Sequence, residues 1–254
     1  MKTVLETIIV AFSMFSALPM PQIEWNEKNM RWSLLAFPLV GAVIGGVCWL
    51  WVLCCAWLDL PAILRGAGLC LAPVLLTGGI HLDGYADTCD ALASHAAPER
   101  KREILKDPHL GAFAAIRLCG YFVMSFALCS ALPAYRAGAV GLGFVLSRTL
   151  SALALTAFPL APGSGLARSF AETADRARVR TGLTVLAAVL AAGMIRLGGW
   201  SMVLAAGTVF AYYRRMAEKQ FGGVSGDLAG WFLQTAELWM LLALCLTESL
   251  EKIV

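Results

Sequence analysis

The sequence has few charged residues for its length. Lysine and arginine number 20, and aspartate and glutamate 17, among 254 residues, so that only 15% are charged. Soluble domains average about 25%. Hydrophobic residues make up 59%, and the mean hydropathy is +0.72. These charges are too few to cover the surface of a soluble globule of this size, and we therefore expect much of the surface to contact lipid.

The sequence also lacks the patterns of several other protein classes. No apolar run shows the regular alternation of a barrel strand, which favours helices that satisfy their own backbone polar groups. The net charge of +3 and the lack of a basic tract with interleaved aromatic residues exclude a typical nucleic-acid-binding protein. The eight cysteines show no metal-ligand spacing. Only Cys89 lies in a polar motif, and we interpret it as a bystander.

Apolar windows predict an all-α, polytopic membrane bundle of about seven to eight segments, some of them short or broken. No soluble domain is inserted, so residues 1–254 are interpreted as one domain. Pro73 and the pair Gly78-Gly79 are expected to kink or break the third segment before it crosses fully. The first is expected to be a retained span or an interfacial helix. The windows are 3–18, 34–57, 67–80, 111–131, 139–160, 181–197, 200–213 and 228–247.

Basic residues are divided unevenly between the two sides of this bundle. If all eight segments cross, the loops of one side carry 13 of the 20 lysines and arginines, and those of the other carry five. The remaining two, Arg117 and Arg148, lie within apolar segments. Cytoplasmic loops are enriched in Lys and Arg. We therefore expect a multi-pass protein of the cell inner membrane. The face with more Lys and Arg is expected to be cytoplasmic and to carry the active site.

Three aspartates in the segment HLDGYADTCDAL, residues 81–92, suggest a cation site. Asp83, Asp87 and Asp90 are spaced i, i+4 and i+7, which places them within a wedge of about 60° on one helix face. Carboxylates so close repel each other unless a cation lies between them. Mg²⁺ is the expected cation because all ligands would be oxygen. The alternative is a solvated acidic helix end, although acids are costly beside an apolar run.

Two further acids are candidate metal ligands. Asp227 follows the glycine-rich stretch 222–226, where backbone N–H groups can approach an anion or the chain simply turns into the next helix. Glu237 lies inside an apolar run, where an ionisable residue is a functional candidate by default. Pairing of Glu237 with Arg148 or Arg117 from a neighbouring helix is the structural alternative.

Basic and hydroxyl side chains supply candidates for substrate binding and proton transfer. A metal on a carboxylate cluster commonly neutralises phosphate, and arginine adds bidentate contacts to phosphate oxygens. Arg148, within an apolar run, is the strongest candidate for that contact. A carboxylate near a metal is a weak base, so acids and histidines beside the cluster are alternatives. The substrate-binding candidates are Arg148, His81, Ser225 and Arg117, and those for proton transfer are Asp90, Asp107 and His109.

Four stretches resemble the signature sequences of one family, the cobalamin synthases or adenosylcobinamide-GDP ribazoletransferases. They are GGIHLDGYADTCDA at 78–91, ILKDPHLGAFA at 104–114, SR at 147–148 and GGVSGD at 222–227. The first is specific, and the others gain weight from their order along nearly the whole chain. Four positions depart from the residues common in that family, which are arginine, glycine, threonine and an acid. They are Ala17, Ala91, Ser225 and Gln234.

The resemblance implies an inner-membrane enzyme that joins adenosylcobinamide-GDP to α-ribazole or its 5′-phosphate, releases GMP and requires Mg²⁺. By position, the family's acidic motif falls on Asp83, Asp87 and Asp90, with Asp107 and Asp227 in its later motifs. Together with the residues, it predicts that a metal on this face holds the pyrophosphate while a ribazole hydroxyl attacks the cobinamide-side phosphorus. The acceptor preference and a homo-oligomeric state stay open.

Two other functions stay open on the sequence alone. Intramembrane acids and broken helices also suit an ion-coupled transporter, although no inverted repeat is visible. A CDP-alcohol phosphotransferase would use similar chemistry. Asp87, however, stands where that class has an arginine, and the spacing to the next acid is shorter than in that class.

Overall fold

The computed structural model describes residues 2–253, and most of them are helical. Extended residues pair at one place in this range, a single parallel bridge between Leu160 and Val224. A short 3₁₀ turn, Ala134–Arg136, precedes α8. The helices are α1 (Lys2–Phe15), α2 (Glu27–Met30), α3 (Ser33–Trp57), α4 (Ala62–Thr77), α5 (Ile80–Ala93), α6 (Pro98–Ile104), α7 (Ala112–Ala131), α8 (Ala137–Ala157), α9 (Gly165–Thr173), α10 (Arg176–Arg196), α11 (Trp200–Phe221) and α12 (Gly226–Glu251).

Five helices are long and apolar enough to cross a membrane: α3, α7, α8 with its preceding turn, α10 and α12. The pair α4 and α5 adds a sixth crossing if it is counted as one broken span. The predicted helical membrane bundle is therefore confirmed, with fewer full-length apolar spans than predicted segments. Helix α1 has 14 residues, too few for a crossing. Helix α11 has 22 residues, but its last turns carry Arg214 and Arg215.

The third predicted segment breaks at its two glycines. Helix α4 ends at Gly78, and α5 begins after Gly79 at an angle of 94°. Both glycines are left-handed, with φ of 64° and 79°, a conformation that disfavours residues with a Cβ atom. Pro73 lies within α4 and does not end it. The break thus turns α5, which carries the three aspartates, away from the direction of α4.

Glycines allow two close helix crossings that shape the bundle. A Cβ atom at Gly41 of α3 would lie 2.3 Å from the carbonyl oxygen of Phe144 in α8. A Cβ atom at Gly84 of α5 would lie 2.7 Å from the carbonyl oxygen of Asp227 in α12. Such contacts let backbones approach closely, as is common between membrane helices. The second crossing brings the acidic helix directly against the start of α12.

Substituting Gly41 by alanine is expected to destabilise the protein. The added methyl group would collide with the backbone of α8, and overpacking of this kind costs about 1–3 kcal/mol. Gly46 on the same helix is the matched control, because a Cβ atom there meets nothing within 4 Å. Gly46→Ala is expected to be neutral or slightly stabilising, since alanine favours helix over glycine. Thermal unfolding in detergent checks both, and equal melting temperatures would contradict the crossing.

Candidate active site

A cavity of about 350 Å³ opens at the end of the bundle where α3, α5 and α12 begin and α8 ends. Part of its wall is buried and apolar, and another part is more exposed and charged. A pocket with an apolar interior and a few convergent polar groups is the usual form of a small-molecule site. The buried apolar lining includes Leu34, Phe37, Leu155, Phe170 and Leu233, and the charged lining consists of Asp83, Arg102, Lys106 and Asp227.

The acidic part of the wall comes from two helices that touch. Asp83 of α5 and Asp227 of α12 both line the cavity, beside the crossing at Gly84. Asp87 is half-buried, and the negative charges of Asp83, Asp227 and Asp90 lie close enough to repel its carboxylate. The expectation that three aspartates lie on one helix is confirmed. The structure adds Asp227 as a fourth member of the same electrostatic environment.

Asp90 lies at the far end of the acidic helix face and has a different neighbour. A Cβ atom built on Gly111 would lie 2.1 Å from the Asp90 Oδ1 atom, so this carboxylate packs against the residue that precedes α7. The N-terminal end of a helix favours a negative charge. Asp90 does not line the cavity. Its predicted role in proton transfer therefore gains no support from its position.

The acids fit a divalent cation by chemistry but not by their present arrangement. Within residues 2–253, no three His, Cys, Asp or Glu side chains are placed so that they could hold an ion. The donors of Asp83, Asp87 and Asp227 are all carboxylate oxygens, the type that Mg²⁺ prefers. Asp83 and Asp87 are one turn apart, and Asp227 starts the helix that touches them. Side-chain rotation would be needed for an ion to bind, and Mg²⁺ stays a prediction.

Glu237 and Arg148 form an ion pair inside the bundle. Arg148 Nη1 donates a hydrogen bond to Glu237 Oε1, and the Ser147 hydroxyl donates to the same oxygen at 2.8 Å. Arg148 is fully buried, and Glu237 is 5% exposed. Neither residue lines the cavity. The pairing alternative is therefore the arrangement found, and it does not support Glu237 as a metal ligand or Arg148 as a phosphate clamp.

Two further predicted substrate-binding residues have contrasting positions. Arg117 is exposed on α7 and does not line the cavity, so the expected substrate contact is not supported. His81 does line the cavity, yet its Nε2 atom is buried without a hydrogen-bond partner within residues 2–253. Ser151 on α8 lines the same cavity with an unpartnered hydroxyl. An unsatisfied buried polar group is costly, which makes both residues candidates for contact with a ligand.

Asp107 and His109 lie on the exposed loop between α6 and α7. The His109 backbone N–H donates to Asp107 Oδ1 at 3.0 Å, and His109 Nδ1 lies 2.7 Å from the same oxygen. The His109 side-chain hydrogen bond lowers the pKa of Asp107 below its ordinary value, which makes it a weaker base. Neither residue lines the cavity. The structure therefore does not bring these two proton-transfer candidates into the site.

The glycine-rich stretch before α12 forms part of the cavity wall, as the sequence suggested. Ser225 lines the cavity and caps α12, accepting a hydrogen bond from the Leu228 N–H at 3.3 Å. Gln234, where the family often has an acid, is buried and accepts a hydrogen bond from the Tyr121 hydroxyl. The missing acid at Gln234 is thus replaced by an internal contact between α7 and α12.

The sequence motifs did not indicate the loop of residues 161–167 or Lys106 beside it as part of the site. The Ala161 N–H donates to the Val224 carbonyl at 2.9 Å, and the Val224 N–H donates to the Pro159 carbonyl at 2.8 Å. These bonds connect the loop to the glycine-rich stretch before α12. Residues of both segments line the cavity. The sequence PGSG was the available sign of a tight turn here. In the structure Gly163 and Gly165 of this stretch are both left-handed.

Comparison with known proteins identifies the family of this chain. The sequence profile of the cobalamin-5-phosphate synthase family matches residues 7–245. The chain belongs to the cobalamin-5-phosphate synthase family. A protein of Lachnoclostridium phytofermentans is 41% identical, with 96% of this chain and 95% of that protein covered. A Geobacillus protein is 33% identical, with 94% and 95% covered, and a Clostridium botulinum (strain Alaska E43) protein is 29% identical, with 97% and 99% covered. All three are named adenosylcobinamide-GDP ribazoletransferase. No solved structure matches.

The stretches that resemble this cobalamin-5-phosphate synthase family meet at the cavity. The segment 78–91 forms α5, and 222–227 leads into α12 at the crossing with α5. The segment 104–114 supplies Lys106 to the wall and packs Gly111 against Asp90. The pair 147–148 lies away from the wall, in the buried contact between α8 and α12. Three of the four stretches thus build the site, and the fourth joins two of the helices that frame it.

Proposed function

We propose that this protein is an adenosylcobinamide-GDP ribazoletransferase of the cell inner membrane. It would join adenosylcobinamide-GDP to α-ribazole or its 5′-phosphate and release GMP. The observation that carries the proposal is the meeting of Asp83 and Asp227, from two family stretches, on the charged wall of an otherwise apolar cavity. A phosphoryl transfer between a charged and a ring-bearing substrate needs a cavity with these two parts.

The cavity size favours the acceptor as its occupant. About 350 Å³ suits a compact ring-bearing molecule such as α-ribazole. The corrinoid macrocycle is much larger, so we propose that it lies outside, with its diphosphate reaching the charged wall. Phe37 and Phe170 offer apolar, aromatic surface to the acceptor base. His81 and Ser151 offer the unpartnered polar atoms that an acceptor could satisfy.

The acids at and beside the charged wall would act on the diphosphate through a bound cation. Asp83, Asp87 and Asp227 would hold Mg²⁺, which supplies charge neutralisation of the diphosphate when bound. The acceptor hydroxyl oxygen bonds to the cobinamide-side phosphorus, the bond from that phosphorus to the bridging oxygen breaks, and GMP leaves with this oxygen. The hydroxyl proton passes to water at the exposed mouth. A loose transition state needs little general-base assistance, which fits the absence of Asp90, Asp107 and His109 from the cavity lining.

We place the cavity end of the bundle on the cytoplasmic side. The loops rich in Lys and Arg meet at this end: Arg31 at the start of α3 pairs with Asp175 at 2.7 Å, and Arg102 donates to the Phe221 carbonyl at 3.1 Å. Positive loops favour the cytoplasm. A cysteine introduced at the exposed Arg100 is expected to resist an impermeant thiol reagent in intact cells and to react after lysis. Labelling in intact cells would overturn this orientation.

Purified protein is expected to form GMP and the corrinoid product in equal amounts from adenosylcobinamide-GDP and α-ribazole. Chelation of divalent ions by EDTA is expected to abolish GMP release, and added Mg²⁺ to restore it, because the carboxylates alone repel a diphosphate. Chromatography of GMP is the measurement. Uptake of a corrinoid into vesicles without any GMP formation would instead indicate the transporter.

A further inference from the structure

We propose that Lys106, together with Arg102 and Ser164, forms a phosphate-binding subsite at the mouth of the cavity. The inference rests on the proposed function, because it assigns a phosphoryl group of that reaction to these residues. The ligand chemistry is a phosphate oxyanion. Two substrates of the proposed reaction carry phosphate oxyanions. A phosphorylated acceptor carries a 5′-phosphate, and the GDP-activated corrinoid carries a diphosphate.

Lys106 is a cation whose ammonium group is free to bind a ligand in the part of the chain that the structure describes. Its side chain is exposed and lines the cavity, and it makes no hydrogen bond or ion pair with any residue between 2 and 253. The ammonium group lies 3.5 Å from the place of a Cβ atom on Gly163. Gly163 has no side chain and a left-handed φ of 73°. The loop therefore approaches the ammonium group closely while leaving it accessible to a ligand.

Arg102 is fixed beside the second glycine-rich loop. Its Nη1 atom donates to the Phe221 carbonyl at 3.1 Å and lies 3.6 Å from the place of a Cβ atom on Gly222. Its Nη2 atom pairs with Glu99 at 3.1 Å, and that carboxylate is 73% exposed. An exposed pair is screened by solvent, so Arg102 keeps much of its attraction for an anion. Its guanidinium is held in place before any ligand binds.

Ser164 supplies a hydroxyl to the same cavity. Its Oγ atom is buried and has no hydrogen-bond partner in the part of the chain that the structure describes. Ser164 lines the cavity along with Lys106 and Arg102. Two cations and a hydroxyl beside glycine loops form a typical set of phosphate ligands. The carboxylates of Asp83 and Asp227 line the same cavity and would repel an anion unless a cation neutralises them. Lys106 is therefore expected to contribute most to binding a phosphate group that lies near the end of α6.

The test compares Lys106→Gln with a control at Arg100, a basic residue of the adjacent helix α6. Arg100→Gln removes an equally cytoplasmic charge whose side chain is 68% exposed, pairs with Glu103 and does not line the cavity. KM and kcat are measured for both substrates, with α-ribazole and with its 5′-phosphate as acceptor, together with inhibition by GMP. We expect Lys106→Gln to raise the KM of one substrate by about tenfold. Arg100→Gln is expected to change no KM by more than about twofold. Lys106→Arg, which keeps the positive charge, is expected to have a KM close to that of the wild type.

The arms of this experiment separate the two sources of phosphate. A higher KM for α-ribazole 5′-phosphate alone identifies the acceptor phosphate as the ligand. A higher KM for the corrinoid with either acceptor, with weaker GMP inhibition, identifies the nucleotide phosphates. Values for Lys106→Gln equal to those for Arg100→Gln would overturn the subsite while the wild type still releases GMP. Failure of the wild type to release GMP would instead overturn the proposed function.

Discussion

Replacing Asp87 by asparagine is expected to lower the rate of GMP release by about a hundredfold or more. Asp87 is half-buried among the charges of Asp83, Asp227 and Asp90. Asparagine keeps the shape of the side chain but removes a charged oxygen ligand. Because it also removes repulsion between carboxylates, the variant is expected to unfold at the same temperature as the wild type or a higher one in the absence of divalent ions. Lost activity without lost stability separates an ion-binding role from a structural one.

Thermal unfolding with and without Mg²⁺ tests the metal-binding role of Asp87 without relying on activity. A cation that binds only the folded state raises its stability, so added Mg²⁺ should raise the melting temperature of the wild type more than that of Asp87→Asn. Glu218→Gln is the control, because this acid is partly exposed on α11, lies outside the cavity lining and pairs with Arg214. It is expected to behave like the wild type. Near-normal GMP release by Asp87→Asn at saturating Mg²⁺ would refute the metal role.

Removing one partner of the buried ion pair is expected to destabilise the protein by about 3–5 kcal/mol. Arg148→Met leaves the Glu237 carboxylate uncompensated among buried helices, and Glu237→Gln does the same to the Arg148 guanidinium. The pair joins α8 to α12, and α12 also carries Asp227. Each single variant is therefore expected to melt at a much lower temperature in detergent and to lose activity along with its fold.

The double variant Arg148→Met with Glu237→Met tests whether this pair is structural. Replacing both charges by apolar side chains of similar size is often neutral or stabilising. We expect the double variant to regain most of the melting temperature and most of the GMP release, because neither residue lines the cavity. A double variant that is stable yet as inactive as an unfolded single variant would show that the pair takes part in the chemistry.

The sequence was sufficient to predict the acidic helix because helical periodicity is local. The spacing of Asp83, Asp87 and Asp90 requires only about two turns of one helix. The break at Gly78-Gly79 was also predictable, since two adjacent glycines favour a left-handed turn wherever they occur. The membrane class followed from composition, which does not depend on the tertiary arrangement.

The partners of these residues could not be predicted, because they come from distant parts of the chain. Glu237 and Arg148 are 89 residues apart, and both suited a ligand-binding role as well as a mutual one. Nothing local to Asp90 indicates that Gly111 covers its carboxylate. Nothing in the sequence distinguishes Lys106 from the other basic residues of the loops, and its place in the cavity wall depends on the contact of the chain after α6 with the loop at Gly163.

The single bridge between Leu160 and Val224 affects binding through entropy. It fastens two glycine-containing loops to each other through backbone hydrogen bonds. Free loops of this composition would have to give up backbone freedom when a ligand arrives, at a cost of about 1–2 kcal/mol per residue. Here that ordering takes place during folding, so more of the attraction between protein and ligand remains as affinity. A substitution that weakened this tie would therefore loosen ligand binding without removing a single group that touches the ligand.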